Sequence, residues 1–303
     1  MGDAPIQPPA DVVAQLRHAS KRYGAVLALD DLNLEVRRGE VLALLGPNGA
    51  GKTTAISLLL GLLAADGGEA SVLGEAPGAL AARRRIGVML QTTGVPEMLE
   101  VGELIALFRS YYAAPRTVAD IVEFAGVGDL LKRRYGKLSG GQQRRVQFAL
   151  AICGRAEILF LDEPTTGLDV EARETMWRTI RSLVAGGCAV VLTTHYLEEA
   201  EALAHRVAVI AAGRIVAEGS IEAIRARVAQ KRIRCVSALG VEAIERWPEV
   251  RSVARDGERI EIVTDAAEAV VRQLLFEDSA LSELEVRRAG LAEAFVEITR
   301  EAA

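Results

Sequence analysis

Gly46-Pro-Asn-Gly-Ala-Gly-Lys-Thr-Thr54 is the stretch on which the fold turns. It fits G-x-x-x-x-G-K-[ST], a loop whose backbone N–H groups wrap phosphate oxygens at a helix N-terminus. Glycines are needed there because side chains would hold the backbone away from the anion. Lys52 is expected to reach the β- and γ-phosphates of a nucleotide, and the Thr53 hydroxyl to ligate Mg²⁺. The context fits as well: the apolar run Val41–Leu45 precedes the loop, and the helical, apolar Ala55–Leu63 follows it.

Working outward, Ile86–Leu90, Ile158–Leu161 and Ala189–Leu192 resemble Val41–Leu45 in being short and continuously apolar. Such runs suit strands buried on both faces of a parallel sheet, covered by helices. Each is followed by polar groups: the glycine-rich loop, then Gln91, then Asp162 with Glu163, then Thr193, Thr194 and His195. Parallel strands end on one edge, where ligands bind, so these four segments are expected to converge. Leu32, Leu34 and Val36 alternate with Asn33 and Glu35, which predicts a small antiparallel sheet beside the main one. Between residues 92 and 150 the period becomes helical, with Val101, Leu104, Ile105 and Phe108 on one face. After Gly219 and Ser220 a helix leads to about Val228, and residues 229–303 read as βαββαβ with a closing helix, a ferredoxin-like arrangement. In that unit Asp256-Gly257 marks a hairpin. Residues 1–10 read as a loose tail and 11–228 as the nucleotide-binding domain.

Composition narrows the function. Half of the 303 residues are hydrophobic and the formal net charge is −5, which excludes disorder as the main state and gives no general attraction to nucleic acid. The longest nearly apolar run, Ala55–Ala65, falls well short of the ~20 residues needed to cross a bilayer. Cys153, Cys188 and Cys235 are widely spaced and read as buried thiols of a reducing compartment. Asp162 ends an apolar strand, where a carboxylate needs a cation or donors, and Mg²⁺ at Thr53 would be that cation. Glu163 is placed to orient or deprotonate a water attacking the γ-phosphate. His195 gains a functional reading only by convergence on the same edge; His18 and His205 keep structural ones. Leu138-Ser-Gly-Gly-Gln142 starts an amphipathic helix and forms a second phosphate grip.

With these residues in place, the chain closely resembles the ATP-binding subunits of ABC transporters over Val12–Ser220. Gly46–Thr53 matches Walker A, Ile158–Asp162 with Glu163 Walker B, Leu138–Gln142 the signature, Gln91 the Q-loop, His195 the switch histidine and Gly167-Leu168-Asp169 the D-loop. The resemblance implies a P-loop NTPase core with antiparallel β and helical subdomains. It implies that ATP is held by Tyr23, Gly46, Asn48, Gly49, Gly51, Lys52, Thr53 and Thr54, and across a dimer by Ser139, Gly140, Gly141, Gln142 and Asp169. Mg²⁺ ligation falls to Thr53, Gln91 and Asp162, and catalysis to Glu163, His195 and Gln91. Two chains would pair head to tail around two ATP molecules, and separate integral-membrane permease chains would dock on the helical insertion, with Phe108, Tyr111 and Tyr112 lining the dock or filling the core. The protein would then sit at the cytoplasmic face of the membrane, without a span of its own.

The tail, with Ala289–Thr299, resembles the extension of the ABC-2 export group that includes drug-resistance pumps. His205 is a departure, since relatives often carry Asp before Arg-Val-Ala-Val. The alternatives are a soluble ABC ATPase acting on nucleic acid or ribosomes, and an importer ATPase with a regulatory tail. The interval from Lys52 to Asp162 has no room for a coiled-coil insertion, and the acidic balance opposes nucleic acid.

Overall fold

The computed structural model describes residues 11–91, 94–226, 231–288 and 290–301. Two compact units emerge, one ending at Ser220 and one spanning Ile221–Arg300. The boundary expected at 228–229 lies outside the described residues, and the division comes earlier because the helix that begins at Ile221 clusters with the residues after it. The expected tail, residues 1–10, also lies outside them.

In the first unit, β1 (Val12–Tyr23) and β2 (Val26–Arg37) form an antiparallel pair, and β3 (Val41–Leu45) leads into α1 (Lys52–Leu59). Next, β4 (Gly67–Val72) returns to pair with β1, and α2 (Leu80–Arg83) precedes β5 (Ile86–Met89). The helical insertion contains α3 (Val101–Ser110), α4 (Val118–Ala125) and α5 (Gly140–Ala151). The chain then alternates β6 (Ile158–Asp162), α6 (Val170–Ala185), β7 (Ala189–Thr193) and α7 (Leu197–Leu203), and ends on the hairpin β8 (Arg206–Ala211) and β9 (Arg214–Gly219).

The main sheet has the order β5-β6-β7-β3-β8-β9, parallel except for β9, and the small sheet the order β2-β1-β4. All residues of β3, β6 and β7 are buried, which is why their sequences do not alternate. Successive side chains feed opposite cores. Leu159 and Leu161 pack with Phe148, Met176 and Ile180 on one face, while Phe160 joins Ile56, Leu58 and Leu34 on the other. Each such side chain contributes about 1.5–3 kcal/mol on burial. The face of α3 is as expected at Val101, Leu104 and Ile105, which are fully buried, while Phe108 is half-buried against the same core.

The second unit runs α8 (Ile221–Ala226), β10 (Lys231–Val236), α9 (Val241–Glu245), β11 (Val250–Asp256), β12 (Arg259–Thr264), α10 (Ala267–Glu277), β13 (Ser282–Arg288) and α11 (Leu291–Glu301). Its antiparallel sheet has the order β11-β12-β10-β13, the ferredoxin-like arrangement. Ile233, Cys235, Ile260 and Ile262 pack against Ile244, Val270 and Leu274 from the helices. The hairpin turn falls one residue later than Asp256-Gly257: Asp256 pairs with Arg259, and Gly257, at φ 62°, is the first loop residue. A positive φ is needed at that position, and glycine meets it without strain. Ala289, at the head of the tail match, lies outside the described residues.

All three cysteines are free and buried, and burial pushes the Cys153 and Cys188 thiols up to about 12. The thiolate is the reactive form. At pH 8 an aromatic disulfide reagent should therefore react with the native protein on the order of a hundredfold more slowly than with the unfolded chain. Equal rates in the two states would contradict this burial.

Candidate functional site

The loop between β3 and α1 forms one wall of a cavity of about 640 Å³, lined by residues 48–54 together with Gln91, Asp162, Glu163 and His195. Parallel pairing of β5, β6, β7 and β3 brings these strand ends to one edge. Gly46 and Gly51 are required sterically: a Cβ on Gly46 would lie 2.3 Å from the Ile210 carbonyl oxygen, and one on Gly51, whose φ is 110°, 2.6 Å from that of Ala28. Gly51 caps α1 without any side-chain hydrogen bond. The N–H groups of the first turn have no intrahelical partners, so this helix start offers them, with the positive end of its dipole, to an anion.

Lys52 Nζ donates to the carbonyls of Gly46 (2.7 Å) and Pro47 (3.0 Å), which aims the ammonium along the loop. Burial lowers its pKa below the usual lysine range, opposed by Glu163 and Asp162. Asp162 is 4 % exposed and accepts from the Thr193 hydroxyl. Glu163 adopts φ 50°, a left-handed conformation rare for a non-glycine residue. The neighbouring strand holds it there, its N–H donating to Thr193 O (3.0 Å) and Thr193 Oγ1 (3.1 Å). Its carboxylate then faces two ways, Oε1 lying 3.3 Å from His195 Nδ1 and Oε2 accepting from Thr166 Oγ1 at 3.5 Å. His195 also stacks on Tyr196, ring centroids 4.1 Å apart.

Thr193 is expected among the polar groups at this edge, but its hold on the Glu163 N–H is a role the sequence reading missed. Its only signal was a polar β-branched residue closing an apolar strand. Arg144 was missed as well: its guanidinium donates to Leu90 O (3.2 Å), the residue before Gln91, so it holds the foot of that loop from within α5.

Other expected residues lie outside this cavity. Tyr23 is half-exposed at the end of β1 and does not line it. Ser139 caps α5 and forms a reciprocal box with Gln142, Ser139 N–H donating to Gln142 Oε1 at 3.1 Å and Gln142 N–H to Ser139 Oγ at 3.3 Å. Ser139 and Gly140 are exposed, and none of Ser139–Gln142 lines the pocket of its own chain. Asp169 caps α6 by accepting from Ala172 N–H at 2.8 Å, also away from the pocket. His205 Nδ1 accepts from Val41 N–H at 3.1 Å, so the departure from the family pattern supplies a strand-end hydrogen bond. His18 Nδ1 meets Asp31 Oδ1 at 2.7 Å on the surface. Of the aromatic trio, Phe108 and Tyr112 pack on the core and only Tyr111 is exposed.

Among the described residues no cluster of three His, Cys, Asp or Glu side chains could hold a metal, and no helix is long and apolar enough to cross a membrane. Thr53, Gln91 and Asp162 nevertheless present a hydroxyl, an amide and a carboxylate to one cavity. That all-oxygen set with a single carboxylate fits Mg²⁺, which keeps waters and takes its remaining ligands from phosphates.

Residues 29–166 match the family model described as ABC transporter. The chain is 43 % identical over 215 residues to the Nod factor export ATP-binding protein I of Burkholderia orbicola, covering 69 % of this chain and 71 % of that one. It is 39 % identical over 307 residues to the daunorubicin resistance ATP-binding protein DrrA3 of Streptomyces coeruleorubidus, covering 96 % of both. Among solved structures, an ATP-binding subunit of an ABC transporter aligns with TM-score 0.66 at 27 % identity, over 71 % of this chain and 92 % of that one. A dimeric bacterial ABC transporter cassette aligns with TM-score 0.63 at 23 % identity, over 68 % and 98 %, and shares the fold. The chain belongs to the ABC transporter family, as one of its nucleotide-binding, ATP-hydrolysing subunits of the export kind.

Proposed function

We propose that two copies of this chain clasp two ATP molecules head to tail, and that closing and opening of the pair drives separate membrane-embedded permease chains to expel cargo from the cytoplasm. One observation carries the reading. The cavity holds a phosphate loop, a buried carboxylate and a Glu–His pair, whereas the second glycine-rich helix start, Ser139–Gln142, lies outside it and exposed. A site split in this way is completed by a second subunit, and a two-fold axis completes both sites at once.

In this reading the N–H groups of residues 48–54 and the Lys52 ammonium bind the β- and γ-phosphates. Thr53, Asp162 and Gln91 would hold Mg²⁺, which neutralises charge developing on the phosphate oxygens. Glu163 takes a proton from water as its oxygen attacks the γ-phosphorus; the bond to the β,γ-bridging oxygen breaks, leaving ADP and phosphate. His195, 3.3 Å away, positions that carboxylate and faces the γ-phosphate. Ser139, Gly140, Gly141 and Gln142 of the facing copy grip the same phosphate, and Asp169 orders the turn beside them. Tyr23 is proposed as the adenine platform. The likeness to a daunorubicin resistance protein along nearly the whole chain, second unit included, favours the drug-resistance branch of exporters. The place of action is the cytoplasmic membrane face, with the permease on the helical insertion.

Lys52→Ala removes a cation from the phosphates, a charge-assisted bond worth about 1.5–3 kcal/mol. ATP affinity should fall at least about tenfold. The variant should also remain monomeric in sedimentation at ATP concentrations that dimerise the native chain. An unchanged ATP-induced shift in melting temperature would overturn the assignment.

A further inference from the structure

We propose that Glu199 is a positioning residue that fixes the His195 turn against the loop carrying Glu163. The proposal rests on the roles given above to those two residues. Glu199 lies in the first turn of α7, four residues after His195, and its N–H donates to Tyr196 O at 3.0 Å. Its side chain points away from solvent: the residue is 1 % exposed, rare for a glutamate unless it is held by partners. The partners come from each part of the machinery. Trp177 Nε1, on α6 behind its Asp169 cap, donates to Oε1 at 3.1 Å. Thr194, beside His195, and Thr165, two residues after Glu163, are both buried against it and favour its charged form, as does Arg173 of α6. Burial outweighs them and holds the carboxyl above the usual glutamate range.

Two buried atoms, Glu199 Oε2 and Thr165 Oγ1, have no well-directed hydrogen bond among the described residues. A glutamine at 199 could keep the Trp177 bond through its carbonyl oxygen and offer an amide N–H to Thr165. Alanine would keep neither, freeing the start of α7 and with it the 3.3 Å approach of His195 to Glu163. Nucleotide contacts made by residues 48–54 would be untouched. The consequence is a loss in turnover without a loss in binding, the pattern of an interaction needed in the transition state alone.

The test compares steady-state ATP hydrolysis and ATP-induced melting shifts for the full chain, Glu199→Ala, Glu199→Gln and Trp177→Phe, with Glu163→Gln as control. Glu199→Ala should lower kcat about tenfold or more, since a misplacement of about 1 Å can cost on the order of a hundredfold. Its KM for ATP should stay within about twofold of native. Glu199→Gln should restore at least about half of the native kcat. Trp177→Phe, which removes the donor while keeping the ring, should lower kcat with KM unchanged, and it carries the test if Glu199→Ala does not fold. Native kcat in Trp177→Phe or Glu199→Ala, or a Glu199→Gln as impaired as the alanine variant, would overturn the proposal. A dead Glu163→Gln beside an unaltered Glu199→Ala rejects the role of Glu199 only; an active Glu163→Gln rejects the site reading beneath it.

Discussion

Glu163→Gln should bind ATP as tightly as the native chain and hydrolyse it about a thousandfold more slowly, within the 10²–10⁴ range of a general base. The exchange is nearly isosteric, and what places residue 163 is its backbone, through Thr193, so an amide should occupy the same spot. The amide can accept a hydrogen bond from water but cannot take its proton. The phosphate-binding residues remain, and ATP that binds is not consumed. Size-exclusion chromatography should therefore show a dimer that accumulates with ATP and Mg²⁺ and disperses when the nucleotide is removed. Near-native hydrolysis by this variant would remove Glu163 from the reaction.

Ser139→Arg should abolish hydrolysis while leaving ATP binding to the isolated subunit unchanged. The substitution removes the hydroxyl that caps α5 and sets a long cation at the helix start, yet it touches none of the residues lining that chain's own cavity. The damage therefore falls on a neighbour's site. Mixing makes the effect sharper. In a heterodimer of Ser139→Arg with Lys52→Ala, one of the two sites combines an intact phosphate loop with an intact signature, while the other has both defects. Random pairing makes about half the dimers mixed, so about a quarter of native activity should return from two inactive proteins if the sites act independently. Normal hydrolysis by Ser139→Arg alone, or no recovery on mixing, would refute the shared site.

Much of this architecture could be read from residue type and spacing because the decisive elements are extreme cases. Val41–Leu45 and Ile158–Asp162 are buried on both faces, so they stand out as unbroken apolar runs, and a phosphate loop has few substitutes for its glycines. In the second unit Asp256-Gly257 marked the hairpin between two strands, whereas its turn moved one residue because glycine must occupy the first loop position. What stayed hidden depends on neighbours distant in sequence. The left-handed turn at Glu163 is imposed by Thr193, the hydrogen bond at His205 by Val41, and the burial of Glu199 by Trp177 and Thr165; no local pattern encodes any of these pairs. The division at Ser220 escaped for a similar reason, since a short helix joins whichever neighbours bury it.

The Arg144 guanidinium joins the interior of α5 to the carbonyl just ahead of Gln91. The same helix carries Ser139 at its tip. Within one polypeptide, then, the carbonyl just ahead of the cavity-lining Gln91 and the exposed Ser139 cap are tied through a single strut about one and a half helical turns long. A displacement at the Gln91 end would carry the Ser139 end with it, a mechanical link between this chain's own cavity and the surface proposed to face the other copy.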